Sequence, residues 1–273
     1  MRLQQHNKKY PYIILGIIHL IMVILTFYKS KDRKNHYVLL MNFAGLAYIF
    51  EYFIAVLFKG YIYRPKIFKR KEFDNMIGAV LSQYFYVPVT ALFITAFQLG
   101  WKYKLFFCLC LSLIEKMFIM LSIFEKNWWR TTYTFLLTFL SFMINDKWYK
   151  ELKNKNPRIL FFSYFNMVQV TWMNMTFAFA LLKQIRYGTG TLNNHIKFAP
   201  IIILPISFLI SWWTKTGDFI SKMKSLLLMI VTDFILIKSN LYKVKTPLVF
   251  PLKYLLFLTM ANYYQKLVYK DES

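Results

Sequence analysis

The sequence predicts an all-α integral membrane protein, a bundle of eight or nine transmembrane helices, and three observations carry that reading. Of the 273 residues, 58% are hydrophobic and 20% aromatic, too apolar for a soluble domain. The apolar residues come in blocks and not in the 3.6-residue stripe of a surface helix. Most blocks approach or exceed the ~20 residues that cross a ~30 Å hydrocarbon core. A single polytopic domain, 1–273, accounts for the chain.

The first block follows Lys8 and Lys9 as a signal peptide would, but it ends in Thr26-Phe27-Tyr28-Lys29 with no small-residue cleavage site. It therefore reads as a retained first helix. Capping chemistry marks other ends: Asn156-Pro157 and Thr246-Pro247 each set an N-cap before a proline, Asp74-Asn75 opens a helix, and Gly100 closes it. These marks predict helices over 12–28, 37–58, 76–99, 104–124, 130–146, 158–182, 199–213, 225–241 and 247–268. The 199–213 segment is short and carries Pro200 and Pro205, so a re-entrant or half-helix is also open. Asp233 interrupts the 225–241 segment, which leaves the count at eight or nine.

The formal charge is +23, with 35 Lys and Arg. In a soluble protein that would suggest nucleic acid. Here the basic residues crowd into connectors such as 59–71 and 147–158, where they face anionic lipid head groups and set topology. The bilayer is thus the expected partner and nucleic acid is not. Lys116 and Lys253 are exceptions, lying within helices. The dense 59–71 connector favours a cytoplasmic N-terminus, although Lys29, Lys31, Arg33 and Lys34 argue the other way. Trp128, Trp129, Trp148, Trp212 and Trp213 fall at segment ends, where an indole anchors at the membrane interface. The two Trp-Trp pairs invite an internal-repeat reading, but at their spacing Glu115 and Asp146 fall on Ala199 and Ile230.

Three carboxylates, Glu51, Glu115 and Asp233, sit inside apolar runs. An ionised carboxylate at the bilayer centre costs at least ~2.5 kcal/mol, so each needs a partner, water or a proton. Ala44, Ala47, Glu51 and Ala55 share one helix face, and Cys108, Ser112, Glu115 and Ser122 share another. Small residues let backbones approach, so both acids point into the bundle. Ser163, Asn166, Gln169, Met173, Thr176 and Ala180 form a comparable stripe, read either as a polar lining or as interhelical hydrogen bonds. Lys116 adjoins Glu115 but points ~100° away from it. It either pairs with Glu51 or Asp233 or snorkels to the interface. Asp74, Gly78 and Ser82 make a capping acid followed by a small-residue packing face.

Motifs for catalysis are absent. His6, His19, His36 and His195 are isolated, and no metal-ligand spacing occurs. Cys108 and Cys110, two apart on one helix, suit neither a disulfide nor a shared metal. Tyr187-Gly188-Thr189-Gly190-Thr191 has no preceding strand and no following Lys-Ser/Thr, so a turn is expected there and not a phosphate loop.

Tyr61-x-Tyr63-x-Pro65, Asp74-x-x-x-Gly78-x-x-x-Ser82-Gln83, Pro88, Ile114-Glu115, Trp128-Trp129-Arg130-Thr131 and Asp146-x-Trp148-Tyr149 together resemble a group of small multi-pass membrane proteins from spore-forming Gram-positive bacteria. The resemblance spans about residues 48–152. It implies a bacterial plasma membrane and no particular activity, and it marks Glu115, Asp74 and the Trp128-Trp129 pair.

The expectation is a non-enzymatic, multi-pass plasma-membrane protein without cofactor or metal, permease-like or an accessory to a transporter. Glu115, Glu51, Asp233, Lys116, Asn166 and Gln169 are its candidate polar path. The alternatives are a scaffold or sporulation-related protein whose acids only fix packing, and an intramembrane lipid-modifying enzyme using Asp74 and Asp146.

Overall fold

The structure, a computed structural model, describes residues 9–270; Lys8 and His6 lie outside them. Nine helices are present among the described residues, all nine expected, and with them four three-residue strands that were not. In chain order these are α1 (Tyr10–Lys29), α2 (Arg33–Leu57), β1 (Tyr61–Tyr63), α3 (Lys71–Ala96), α4 (Trp101–Met120), β2 (Phe124–Lys126) and α5 (Thr131–Lys153). There follow α6 (Pro157–Leu181), β3 (Ile185–Tyr187), α7 (Leu192–Thr214), α8 (Phe219–Lys238), β4 (Tyr242–Val244) and α9 (Val249–Tyr269). Four helices, α1, α2, α3 and α7, are long and apolar enough to cross a membrane.

The chain divides into two compact units, 1–154 and 155–273, with the boundary in the lysine-rich connector after α5. Each unit repeats one plan, helix–strand–helix–helix–strand–helix, and the first adds α1 in front. Both ends of α2 and of β1 lie 124 residues before those of α6 and β3, while both ends of α4 and of β2 lie 118 before those of α8 and β4. The antiparallel pairing follows suit: Tyr61 faces Lys126 in the first unit and Ile185 faces Val244 in the second. Arg64 N donates to Ile123 O, and at the same shifts Gly188 N donates to Leu241 O. An internal repeat therefore exists, at an offset other than the one the tryptophan pairs suggested.

Helix ends explain why strands follow helices. At Ser122, Lys183 and Asn240 the chain turns left-handed (φ 57°, 56° and 57°). The next residue's N–H reaches back five residues, as Ile123 N does to Phe118 O at 2.9 Å. This capping arrangement satisfies the last carbonyls and throws the chain out of the helix axis. It stops α4 at Met120, short of the expected 124, and delivers Phe124–Lys126 to β1.

Other boundaries also move. α3 begins at Lys71, so Asp74 lies in its first turn and does not cap it. The acid instead accepts the backbone N–H groups of Lys66, Ile67 and Phe68 at 2.8–3.0 Å, fastening the connector that follows β1. Asn156 caps α6 as expected, accepting from Arg158 N, whereas Pro247 forms a turn ahead of α9. The 199–213 segment is no half-helix: α7 runs unbroken through Pro200 and Pro205. A strand does precede Gly188, and the turn to α7 uses left-handed glycines at 188 and 190 (φ 75° and 94°).

The polarity runs opposite to that of a soluble bundle. Ile14, Ile24, Leu113, Leu136, Leu227, Phe234 and Leu255 are each more than half exposed, while His19, Asn42, Ser163, Asn166, Gln169 and Ser207 are buried. Buried polar groups need internal partners, and an exposed apolar exterior suits hydrocarbon. Cys108 is buried in the core and Cys110 half-buried, both free.

Gly78 sits where α3 meets β1, and a Cβ there would stand 2.4 Å from Tyr63 Cβ; at Gly100 nothing lies within 4 Å. Alanine in a helix interior gains up to ~1 kcal/mol over glycine, but overpacking costs about 1–3 kcal/mol. Gly78→Ala is expected to lower the thermal midpoint of the detergent-solubilised protein by several degrees, and Gly100→Ala to leave it within a degree or two.

Candidate functional site

A cavity of about 390 Å³ opens inside the first unit, bounded by α1 to α5 and the β1–β2 ribbon. Packing accounts for its position. α4 lies chiefly on α5 and touches α3 little, whereas its counterpart α8 lies on α7 more than on α9. The cavity wall is mostly aromatic and aliphatic, with Phe50, Tyr61, Tyr86, Phe118, Phe124 and Trp129 prominent. Asn42, Ser82, Gln83, Glu115, Thr138 and Asn145 supply the polar part.

Glu115 reaches this wall from α4. Its Oε1 accepts from Thr131 Oγ1 at 2.7 Å and its Oε2 from Thr134 Oγ1. Thr134 in turn accepts from Trp129 Nε1 at 2.8 Å. A carboxylate offers about four lone-pair sites, so these two bonds leave acceptor capacity. No cation pairs with Glu115 among the described residues. Lys116 is exposed on α4 and turns away from Glu115, because adjacent helix residues diverge; Glu51 and Asp233 have other partners.

Glu51 is buried on α2 at 7% exposure and accepts from Tyr61 Oη at 2.5 Å. Burial, aided by the Glu51 carboxylate, pushes the Tyr61 phenol well up, so it stays protonated and donates. The neighbouring Tyr63 phenol is likewise pushed up by burial, and it accepts from Gln83 Nε2 at 3.3 Å. The Tyr61 ring meets Trp129 edge-on at 5.2 Å. Trp129 thus joins the surroundings of Glu51 and Glu115. At 6% exposure it is a core residue and not the interface anchor expected of it. Trp128 and Trp212 are exposed, Trp213 is half-buried, and Trp148 is half-buried against the cavity.

Asn145 Nδ2 donates to Ala91 O at 3.2 Å and Thr95 Oγ1 at 2.9 Å, while its buried Oδ1 has no hydrogen bond. Thr95 Oγ1 donates in turn to Asp146 Oδ1 at 2.5 Å, and Lys104 Nζ pairs with Asp146 Oδ2 at 2.5 Å. Asp146 is therefore committed to Lys104, as Asp74 is to its connector.

In the second unit Asp233 is buried and pairs with Lys253 Nζ, which is itself 0% exposed. Tyr254 Oη adds a second bond to the same oxygen at 2.6 Å. Asn166 and Gln169 are buried in this unit on α6. The sequence candidates thus separate, with Glu51 and Glu115 around one cavity and Asp233, Asn166 and Gln169 in the other unit. Lys253 was overlooked as a partner, although an acid and a lysine in consecutive apolar runs were signal enough. Asn145, Thr131 and Thr134 gave none, since hydroxyls and amides are common in membrane helices.

No group of three or more His, Cys, Asp or Glu fit for a metal occurs among the described residues. Comparison with protein-family models, with curated proteins and with solved structures returns no match.

Breaking a buried ion pair from one side strands a charge, at a cost of about 3–5 kcal/mol, whereas replacing both partners is often neutral. Lys253→Met is expected to lose that much stability, and the double variant Asp233→Leu, Lys253→Met to recover most of it, as read by thermal unfolding in detergent.

Proposed function

We propose that this chain is a multi-pass plasma-membrane protein, non-enzymatic and permease-like or an accessory to a transporter, whose first unit holds a mostly apolar small molecule in its cavity. The cavity itself carries the reading: a space of about 390 Å³ walled largely by aromatic and aliphatic side chains, with a few polar groups to fix orientation, has the make-up of a ligand site. Glu115 and Asn145 are the residues we assign to that orientation. Glu51 supports the wall through Tyr61. The Asp233–Lys253 pair is neutralised within its own unit and reads as structural. The lipid-modifying alternative is weakened by the engagement of Asp74 with three backbone N–H groups and of Asp146 with Lys104.

All nine helices are proposed to span, since the charged side chains that lower the hydropathy of the other five include Lys104, Asp233 and Lys253, which are buried. Basic connectors such as 64–71 then meet anionic head groups, with the N-terminus in the cytoplasm.

Trp129 and Trp148 both line the cavity, so a variant keeping only these two tryptophans, in neutral-lipid nanodiscs, reports on occupancy. 12-Bromododecanol is expected to quench them saturably, and Ala47→Phe, which fills part of the cavity, to abolish saturation. Quenching that rises without limit, as it does for a variant keeping only exposed Trp128, would sink the reading.

A further inference from the structure

The repeat shows what the Glu115 position is built to hold. Asp233 stands 118 residues after Glu115, on the counterpart helix and nine residues ahead of the counterpart strand in both units. In the second unit an ammonium fills the space before this acid. Lys253 Nζ pairs with Asp233 and lies 5.1 Å from the ring centres of Tyr242 and Tyr254 and 5.7 Å from that of Phe250. An aromatic cage closed by a carboxylate suits a cation by both charge and quadrupole. In the first unit Phe135 occupies the position of Lys253, and the acid faces a cavity instead.

Two groups around that cavity keep acceptor capacity. Glu115 keeps lone pairs beyond its two threonine bonds. Asn145, at 2% exposure, presents a buried Oδ1 that no donor meets. Asn145 stands eleven residues beyond Thr134 on α5, ~16 Å along the helix, and so at the other end of the cavity from Glu115. Trp129, Phe124 and Phe118 supply aromatic surface, and Leu46, Leu111 and Leu137 supply aliphatic surface.

We propose that the cavity takes a single-chain amphiphile with a cationic, hydrogen-bond-donating head, an alkylammonium, its nitrogen seated between Glu115 and the aromatic wall. Within the first unit the ligand does what Lys253 does in the second. The proposal rests on the cavity reading above and adds to it the sign and donor character of the head group.

The test is displacement of 12-bromododecanol from the two-tryptophan protein by dodecylammonium, dodecanol and dodecanoate in neutral-lipid nanodiscs. Dodecylammonium is expected to displace at roughly ten- to a hundredfold lower concentration than dodecanol, the worth of one charged hydrogen bond, with dodecanoate weakest. Glu115→Gln should bring dodecylammonium and dodecanol together. Thr138→Lys, which places an ammonium of the protein's own in the cavity, should abolish the preference while the variant stays folded. If all three probes displace equally from the unaltered protein, the cationic assignment is overturned and the cavity reading stands. If the bromo-alcohol never binds saturably and dodecylammonium raises no thermal midpoint, both fall. The probe series on the unaltered protein decides even where a substitution fails to fold.

Discussion

Hydrocarbon gives a chain nothing to hydrogen-bond with, so each polar group on its apolar helices has to find its answer inside the protein. That requirement shapes the molecule at every scale. The last carbonyls of α4, α6 and α8 are met by left-handed caps, which aim the chain sideways into short strands. The strands then pair with each other and leave few orphan groups at the unit's end. Asp74 turns its carboxylate onto three backbone N–H groups, and Asp146 draws in Lys104, so two acids that sit near helix ends are consumed in holding connectors and helix contacts.

The two units solve the same problem with different means. Their helix limits, strand register and capping bonds repeat, yet α4 leans on α5 where α8 leans on α7. A lysine from α9 closes the space before Asp233, and dispersion contacts with Phe250 and Tyr254 fill the remainder. Before Glu115 there is no lysine, and the acid is held by two hydroxyls that fix its position without neutralising it. One scaffold thus neutralises one acid with a lysine and holds the other by hydroxyls alone, and the difference lies in a handful of side chains on the helix after each strand.

Much of this was legible in the sequence, because apolar blocks and capping signals together place the helices, and small-residue spacing places Glu51 and Glu115 toward the interior. The strands were not, since three residues carry no periodicity and their pairing depends on the caps before them. The repeat was hidden for a related reason. The connector after β1 is three residues longer than its counterpart after β3, and α3 is three residues longer than α7, so the offset changes from 124 to 118 in mid-unit and no single shift aligns both halves. Trp129 misled because an indole near a helix start usually anchors at the interface, whereas here its ring is enclosed by Tyr61, Phe50 and Tyr133. The partner of Asp233 was visible as a residue and invisible as a contact, since which of two intrahelical lysines meets an acid is decided by helix rotation.

The corner residues also bear on how this protein can be handled. Ser122 and Lys183 close helices in a conformation that disfavours a side chain by about 1–2 kcal/mol, and only Asn240 among the corresponding corners is a residue type suited to it after glycine. These corners are separated in sequence from Glu115 and Asn145. Glycine at the first two would relieve that strain without changing a side chain that lines the cavity, which offers a route to hardier preparations for spectroscopy.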